Sequence, residues 1–164
     1  MAEVLSNVAK GPVHAGPGDV IRMIASGAVA LWDPVILTAA GTGETYPRVG
    51  TTTAAGNRLF FGIVVDLLNK DTIAAGDVVL VQKRNIAKVR VVSTAVVLGD
   101  PLETSATAGK AQEQTAIAHA GTYTAADADA MEKKSVACFG QALSAATVDG
   151  DIILVDLDAK GRAI

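Results

Sequence analysis

The side chains that could carry out chemistry are few in this sequence and lie far apart. The 164 residues include one cysteine, Cys138, and two histidines, His14 and His119. Zinc is held by three or four ligands, and a catalytic nucleophile needs a base beside it. These residues supply neither arrangement, and the sequence contains no phosphate loop, dinucleotide fingerprint or nucleophile elbow. We therefore expect a protein that is not an enzyme, with no catalytic residues, no metal and no cofactor.

Each of these three residues has a simpler explanation. Cys138 stands in an apolar stretch beside Phe139, which predicts a small buried core residue. His14 and His119 fall in predicted loops and are expected to be solvated.

An acidic set near the C-terminus offers oxygen ligands for a cation. Calcium prefers such ligands, but the spacing does not match an EF-hand loop. We expect solvated charges at strand ends. The set consists of Asp149, Asp151, Asp156 and Asp158.

A basic cluster, Lys83, Arg84, Lys88 and Arg90, stands on a predicted hairpin. Its tip would be residues 83–85, where Asn85 tolerates a left-handed backbone. Two interpretations stay open: a solvated edge that resists aggregation, and a patch that docks an acidic partner. No aromatic residues interleave with these cations, which argues against stacking on single-stranded nucleic acid.

The single tryptophan, Trp32, comes just before the Asp33-Pro34 turn. It is either a plug of the core or an anchor of an interface, since tryptophan is enriched at binding hot spots.

The composition points to association with other proteins. Hydrophobic residues make up 50% of the chain and charged residues 19%, against about 25% charged in typical domains. A chain with so little charge has difficulty covering its own surface, which predicts burial against copies of itself or another protein. The net charge of −3 gives no bulk attraction to nucleic acid. The apolar run 59–65 is far shorter than the roughly 20 residues of a membrane helix, and no signal peptide is expected.

Short apolar stretches alternate with Gly, Asp and Pro turns, which is typical of an all-β barrel or sandwich with short hairpins and long loops. One short helix is predicted over 124–134, with a cap formed by Thr124 and Asp127. The predicted strands are 20–24, 28–32, 35–38, 59–66, 78–82, 86–92, 95–98, 102–105, 136–143 and 152–157.

The predicted organisation is an extended N-terminal arm, residues 1–19, followed by a single β-barrel-like domain, residues 20–164. Glycines and prolines between 11 and 18 break any regular element in the arm. The arm is either a frayed terminus or a tail that orders on a partner. Two long segments, 39–57 and 111–135, are predicted insertions in the domain.

Three motifs occur twice in the same order, which predicts an internal repeat. An Asp-Pro turn precedes a strand, a Phe-Gly pair lies within a strand, and a Gly-Asp turn precedes an apolar strand. Because Phe-Gly sets a large ring beside a position without a side chain, the two phenylalanines are expected to be matching core anchors. The pairs are 33–35 with 100–102, 61–64 with 139–142, and 76–81 with 150–155.

The series from Trp32-Asp33-Pro34-Val35 to Gly150-Asp151-Ile152-Ile153 resembles the small β-rich capsid decoration (cement) proteins of tailed phages and related viruses. The resemblance covers residues 20–157 and includes no catalytic motif. The 39–57 loop and the 111–135 insertion depart from the smallest members of that group.

The resemblance implies a virion structural protein on the outer face of an icosahedral capsid, made in the host cytoplasm. Such a protein bridges subunits of the major capsid protein, gathers as a homotrimer, and touches neither nucleic acid nor a membrane. The arm would contribute to attachment. The residues expected at the capsid or partner interface are Val4, Leu5, Val8, Trp32, Lys83, Arg84, Lys88 and Arg90.

Two other functions stay open from the sequence. One is a head-fibre base, tail or baseplate component, which differs from a decoration protein in copy number. The other is a carbohydrate-binding or other ligand-binding β module. Sugar platforms need exposed aromatic rings, and only Trp32, Tyr46 and Tyr123 are available as Trp or Tyr.

Overall fold

A computed structural model describes residues 19–92, 95–117 and 121–159, which are mostly β. They contain two antiparallel five-stranded sheets and one helix, so the predicted all-β, sandwich-like fold with one short helix is confirmed. The strands are β1 (Val20–Ile24), β2 (Pro34–Thr38), β3 (Arg48–Gly50), β4 (Phe60–Asp66), β5 (Val78–Gln82), β6 (Ile86–Arg90), β7 (Pro101–Thr104), β8 (Ala111–Glu113), β9 (Gly140–Ala142) and β10 (Ile152–Asp156), and the helix is α1 (Ala125–Ala137).

The two sheets have the same strand order. The first, which we call the first repeat (residues 20–82), runs β1-β5-β4-β2-β3, and the second repeat (residues 86–156) runs β6-β10-β9-β7-β8. Each strand of the first repeat therefore has a counterpart five strands later, at the same place in its sheet. The predicted internal repeat is confirmed.

The registers of the two repeats agree as well. Val20 lies opposite Gln82 in the β1–β5 pair, and Ile86 lies opposite Asp156 in the β6–β10 pair. In each sheet one parallel bridge joins the two edge strands at one end, Ala25 with Val49 and Val91 with Ala111. Each sheet is thus strongly curled, and neither closes into a barrel in the described ranges.

The repeated motifs build the same turns. Asp33 Oδ2 accepts a hydrogen bond from Ala30 N at 2.8 Å, and Asp100 Oδ2 accepts one from Val97 N at 2.7 Å. Each carboxylate fixes the backbone three residues earlier, as aspartate does in turns, and so starts the strand that follows.

The second pair of repeated turns precedes the last strand of each repeat. Asp77 Oδ2 accepts from Ala74 N at 2.9 Å, and Asp151 Oδ2 accepts from Val148 N at 3.0 Å. The glycine before each aspartate has a positive φ of 93° or 86°, which glycine adopts at little cost.

The Phe-Gly pairs occupy matching places where two strands approach closely. A Cβ at Gly140 would lie 2.6 Å from the carbonyl oxygen of Asp156, and one at Gly62 would come at least as close to that of Gln82. Only glycine fits at either position without moving the neighbouring strand.

The two phenylalanines themselves are not matched in burial. Phe139 is 2% exposed, whereas Phe61 is half-buried at the edge of the first core. Phe60, the residue before Phe61, reaches into the second core instead and stacks on Phe139 with ring centroids 4.2 Å apart. Stacked rings at this distance add about 0.5–1.5 kcal/mol to the burial of their area, so this pair joins the two repeats.

Helix α1 begins with the predicted capping box. Thr124 Oγ1 accepts from Asp127 N at 3.3 Å, and Asp127 Oδ2 accepts from Thr124 N at 2.8 Å. The helix continues past the predicted end to Ala137, and its residue Val136 is 58% exposed.

Two predicted strands are wrong. Residues 28–32 and 95–98 form no strand, and Val96 makes only an isolated bridge to Ala146. Both segments are held as turns by the aspartate that follows, which competes with strand pairing. The predicted strand 136–143 shrinks to β9, because α1 takes its first two residues.

The predicted hairpin at 83–85 is also wrong. Strand β5 is paired on both sides, with β1 and β4, so it offers no edge to β6, which pairs with β10. The side chain of Gln82, which is fully buried, donates from Nε2 to the carbonyl oxygens of Arg84 and Ile86 at 2.8 and 2.9 Å. Residues 83–85 are therefore the connection between the sheets, with Asn85 at the predicted positive φ of 61°.

The close strand approaches give a testable consequence of the repeat. Gly62→Ala and Gly140→Ala should each lower the free energy of unfolding by about 1–3 kcal/mol, because the added methyl group meets a backbone oxygen that strand pairing holds in place. Gly27→Ala is the control, since a Cβ there meets nothing within 4 Å. Urea denaturation measures all three. Costs at both tight positions as small as that at Gly27 would contradict the account.

Candidate interaction surfaces

The predicted interface residues Trp32, Lys88 and Arg90 meet at the junction between the two repeats. Arg90 N, on the outer edge of β6, donates to the carbonyl oxygen of Trp32 at 3.0 Å, and Arg90 Nη2 donates to that of Leu31 at 3.0 Å. The ammonium of Lys88 lies over the Trp32 ring, 5.3 Å from its centroid. These side chains hold the turn before β2 against the first strand of the second repeat.

Trp32 combines two features that local sequence does not explain. It is 4% exposed, and its φ is +70°, a left-handed conformation that is rare for a bulky residue. Its counterpart in the second repeat is Gly99, with φ +96°. The N–H of Trp32 donates to the carbonyl oxygen of Val64 in β4 at 2.8 Å, and the N–H of Gly99 donates to that of Ala142 in β9 at 2.8 Å. Of the two interpretations of Trp32, the structure thus favours the buried plug. The Trp32 ring is not exposed and cannot serve as a sugar platform.

The carboxylate of Asp33 is the most electrostatically unusual group of the junction. Burial raises its pKa to about 6, against the opposing effects of the hydrogen bond from Ala30 N and of the Arg90 and Lys110 cations. Arg90 Nη1 lies 3.8 Å from Asp33 Oδ1, too long for a hydrogen bond. A Cβ on Gly109 would press to 2.7 Å from Asp33 Oδ2, so the second repeat covers this carboxylate tightly.

A second clamp joins the repeats at residues 54–57. Gly56 N donates to the carbonyl oxygen of Thr104 at 2.9 Å, and Asn57 N donates to Thr104 Oγ1 at 2.8 Å. The same hydroxyl donates to the carbonyl oxygen of Ala54 at 3.0 Å. Thr104 is fully buried, and satisfied buried hydrogen bonds of this kind fix one arrangement of their partners.

The 39–57 loop carries the most exposed large hydrophobic side chain among the described residues, Tyr46, which is 79% exposed. Glu44 organises the loop: its Oε2 accepts from Gly41 N at 2.9 Å and from Arg48 Nε at 2.7 Å, and its Oε1 accepts from Arg48 Nη2 at 2.6 Å. The bond to Arg48 holds the pKa of Glu44 down at about 2. These bonds hold the loop in one conformation and leave its tip exposed.

A groove of about 670 Å³ lies between α1 and the segment 113–117 that follows β8. Its walls are tied by Gln114 Nε2, which donates to the carbonyl oxygen of Lys134 at 2.7 Å, and by the ammonium of Lys134, which donates to that of Thr115. Sequence reasoning missed this groove. Met131, an exposed large apolar residue on a polar helix, lines the groove and is the signal that could have indicated it.

The other predicted charged residues serve local structure. Lys83 lies over the Phe61 ring, 4.6 Å from its centroid, and Arg84 is exposed in the connection between the sheets. The acidic set is dispersed. Asp149 pairs with Lys110 at 2.6 Å, Asp151 caps its turn, Asp156 accepts from Asp158 N at 2.9 Å, and Asp158 accepts from Asn85 N at 3.2 Å.

Of the predicted reactive residues, the structure describes Cys138. It is buried, at 3% exposure, with its thiol 3.5 Å from the carbonyl oxygen of Gly140. No group of three metal-ligating side chains occurs in residues 19–92, 95–117 and 121–159. Over the same ranges, no helix is long and apolar enough to cross a membrane. His14, His119, Val4, Leu5 and Val8 lie outside the described residues.

Comparison with known proteins rests on the fold. No protein-family model and no curated protein matches the sequence. Among solved structures, the chain is similar to the base of the bacteriophage phi29 head fibre, the "head fiber gp8.5 N base", with a TM-score of 0.53 and 13% identity. The match covers 86% of this chain and 94% of that chain, so it includes both repeats. At this identity it establishes a shared fold.

The buried carboxylate of the junction predicts a specific pH dependence. The pKa of Asp33 is raised from 3.8 to about 6, so the folded state holds a proton that the unfolded state releases between these values. Stability from this group is full below pH 4 and is lost as the pH rises through about 6. Asp33→Asn should therefore unfold with less pH dependence, and at pH 8 it should gain up to about 3 kcal/mol over the natural chain.

The measurement is urea denaturation from pH 4 to pH 8. Asp100→Asn is the matched control, because it makes the same change in the corresponding turn, which contacts no part of the other repeat in the described hydrogen bonds. Parallel pH curves for Asp33→Asn and the natural chain would show that the junction carboxylate is not the titrating group.

Proposed function

We propose that this protein is a structural component of a bacteriophage virion, attached to the head in the manner of a head-fibre base. The observation that carries the proposal is the shared fold with the phi29 head-fibre base over nearly the whole of both chains. A match limited to one five-stranded sheet would carry less weight, because small curled sheets occur in many unrelated proteins.

The architecture suits a mechanical role. The stacked Phe60 and Phe139 rings, the Thr104 clamp and the Trp32–Arg90 contact join the two sheets at separate points. Such a unit transmits force between its two ends, and the exposed loop tips offer surfaces for neighbours. Such a role requires no catalysis, no cofactor and no contact with nucleic acid or a membrane. The proposal is therefore of a protein that has none of these.

The partners in the proposal are the major capsid protein and further copies of this chain, on the outer face of the head. Low charge content supports both contacts, because 19% charged residues cover the surface of an isolated protein poorly. The homotrimer is carried over from the resemblance to capsid decoration proteins.

A decoration protein is the second candidate, and the repeated motifs with their resemblance to that group favour it. It differs from a fibre base in distribution. Decoration proteins cover the head lattice, whereas a fibre base occupies selected sites.

Copy number separates these functions. Quantitative mass spectrometry of purified particles of the virus that encodes the chain should find dozens of copies, far fewer than the major capsid protein. A count in the hundreds, in simple ratio to the capsid protein, would replace the fibre-base position by decoration. Absence from the particles would overturn the virion role.

The predicted arm provides a test of attachment. Deletion of residues 1–15, which contain the apolar anchors Val4, Leu5 and Val8, should weaken binding to the phage head at least about tenfold while the circular dichroism spectrum and melting temperature stay unchanged. A polar variant with Asp at those three positions separates the loss of apolar contact from the loss of length. Full-affinity binding by both variants would refute the role of the arm.

A further inference from the structure

The contact between the two repeats uses different elements on its two sides. Apart from the Thr104 clamp, the Phe60–Phe139 pair and the cover of Asp33 by Gly109, the first repeat supplies the turn 31–33 and β4, and the second supplies the outer edge of β6. A two-fold arrangement would use the same elements from both, so the turn 97–100 would lie on β1. In the described ranges no hydrogen bond or ion pair joins these two elements. The junction is therefore head-to-tail.

The counterpart of the junction turn lies exposed at the end of the second repeat. The turn surface, residues 97–100, has the backbone of the turn that fills the junction, with Gly99 in the place of Trp32. Leu31 in the junction is half-buried, whereas Val97 and Leu98 are 56% and 71% exposed. Adjacent exposed apolar side chains of this kind mark an interaction site.

The other half is the outer edge of β1, which we call the strand surface. β1 is the edge strand of its sheet, as β6 is of the second sheet. Arg22 and Ile24 stand at the positions of Lys88 and Arg90, respectively. By the alternation of an antiparallel strand, the Ile24 N–H points away from β5, as the Arg90 N–H points to the junction. Arg22 is exposed, and Ile24 is half-buried.

We propose that the turn surface of one copy docks on the strand surface of the next, so that copies of this chain join head-to-tail through a contact that repeats the internal junction. Val97 and Leu98 would pack on Ile24, and Arg22 would lie beside Asp100. The Gly99 carbonyl oxygen accepts from Gln141 Nε2 at 2.8 Å, and it would accept from the Ile24 N–H with its second lone pair. Because each copy offers one surface of each kind, the contact is heterologous, and the homotrimer proposed above, built from this contact, is a closed ring.

The occupant is a second copy because the chain already contains one filled example of this contact. The surfaces also match in character, since apolar side chains face each other and a cation faces a carboxylate. The inference rests on the self-association proposed above, and it is independent of attachment to a phage head.

The test uses the full chain and measures its mass by light scattering and native mass spectrometry. The natural chain should form a ring larger than its 16.6 kDa monomer. Val97→Lys, which sets a cation against the apolar Ile24, and Arg22→Glu, which sets a carboxylate opposite Asp100, should each raise the dissociation constant at least tenfold. Val136→Lys is the control, since Val136 is 58% exposed but lies on α1, outside both surfaces.

Mixing the two disrupted variants tests the direction of the contact. Val97→Lys retains an intact strand surface and Arg22→Glu an intact turn surface, so an equimolar mixture should form a dimer and no ring. A mixture that stays monomeric would overturn the head-to-tail contact, as would an assembly that neither variant weakens. The second copy would also be overturned as the occupant if the natural chain is monomeric and assembles only after residues 1–18 are removed. In that case residues 1–18 would be what occupies the strand surface. Because the assay contains no phage particle, its failure is distinct from failure of the virion role.

Discussion

The edge of β6 is the constraint on which the rest of the structure depends. An unpaired sheet edge is costly to bury and hazardous to expose, and here the turn before β2 covers it with two hydrogen bonds from Arg90 to Leu31 and Trp32. To reach the edge, the turn takes a left-handed backbone at Trp32 and buries the carboxylate of Asp33. Both features cost free energy in isolation, and strain of this kind persists only where the surroundings determine it. The junction therefore explains why these residues adopt conformations that neither repeat would favour alone.

The sequence differences between the two repeats follow from the junction, in which only the first repeat uses its turn and only the second uses the edge of its first strand. Their strand order and turns agree, and the tight glycines Gly62 and Gly140 meet corresponding carbonyl oxygens. The differences concentrate where one repeat meets the other. Trp32 fills the junction, whereas its counterpart Gly99 has no side chain to contribute to a contact, and Phe60 turns into the second core, where it stacks on Phe139. A duplicated unit thus keeps the residues that make its sheet and changes those that determine what the sheet touches.

The sequence was sufficient for features set by local chemistry. β1 and β5 have the predicted bounds, the α1 capping box is present, and the three repeated motifs mark the repeat correctly. It was insufficient where the choice lies between distant partners. The 83–85 segment has the composition of a hairpin tip, but β5 is already paired on both sides, and no local signal reports that. For the same reason the predicted basic cluster is divided in the structure, with Lys88 and Arg90 in the junction and Arg84 exposed. The groove beside α1 likewise depends on packing that the helix sequence alone does not specify.

The asymmetry of the junction bears on how such a chain can build a larger object. A contact that used the same elements from both repeats would leave no complementary surfaces, and the protein would be complete as a monomer. A head-to-tail contact leaves a turn at one end and a strand edge at the other, and the exposed Val97 and Leu98 stand at the first of these. Duplication of a unit that associates in this way halves the number of contacts that must form between separate chains, because the other half is already made within each chain. A virion appendage, which must gather several copies at one site, would gain from that reduction in the number of separate pieces.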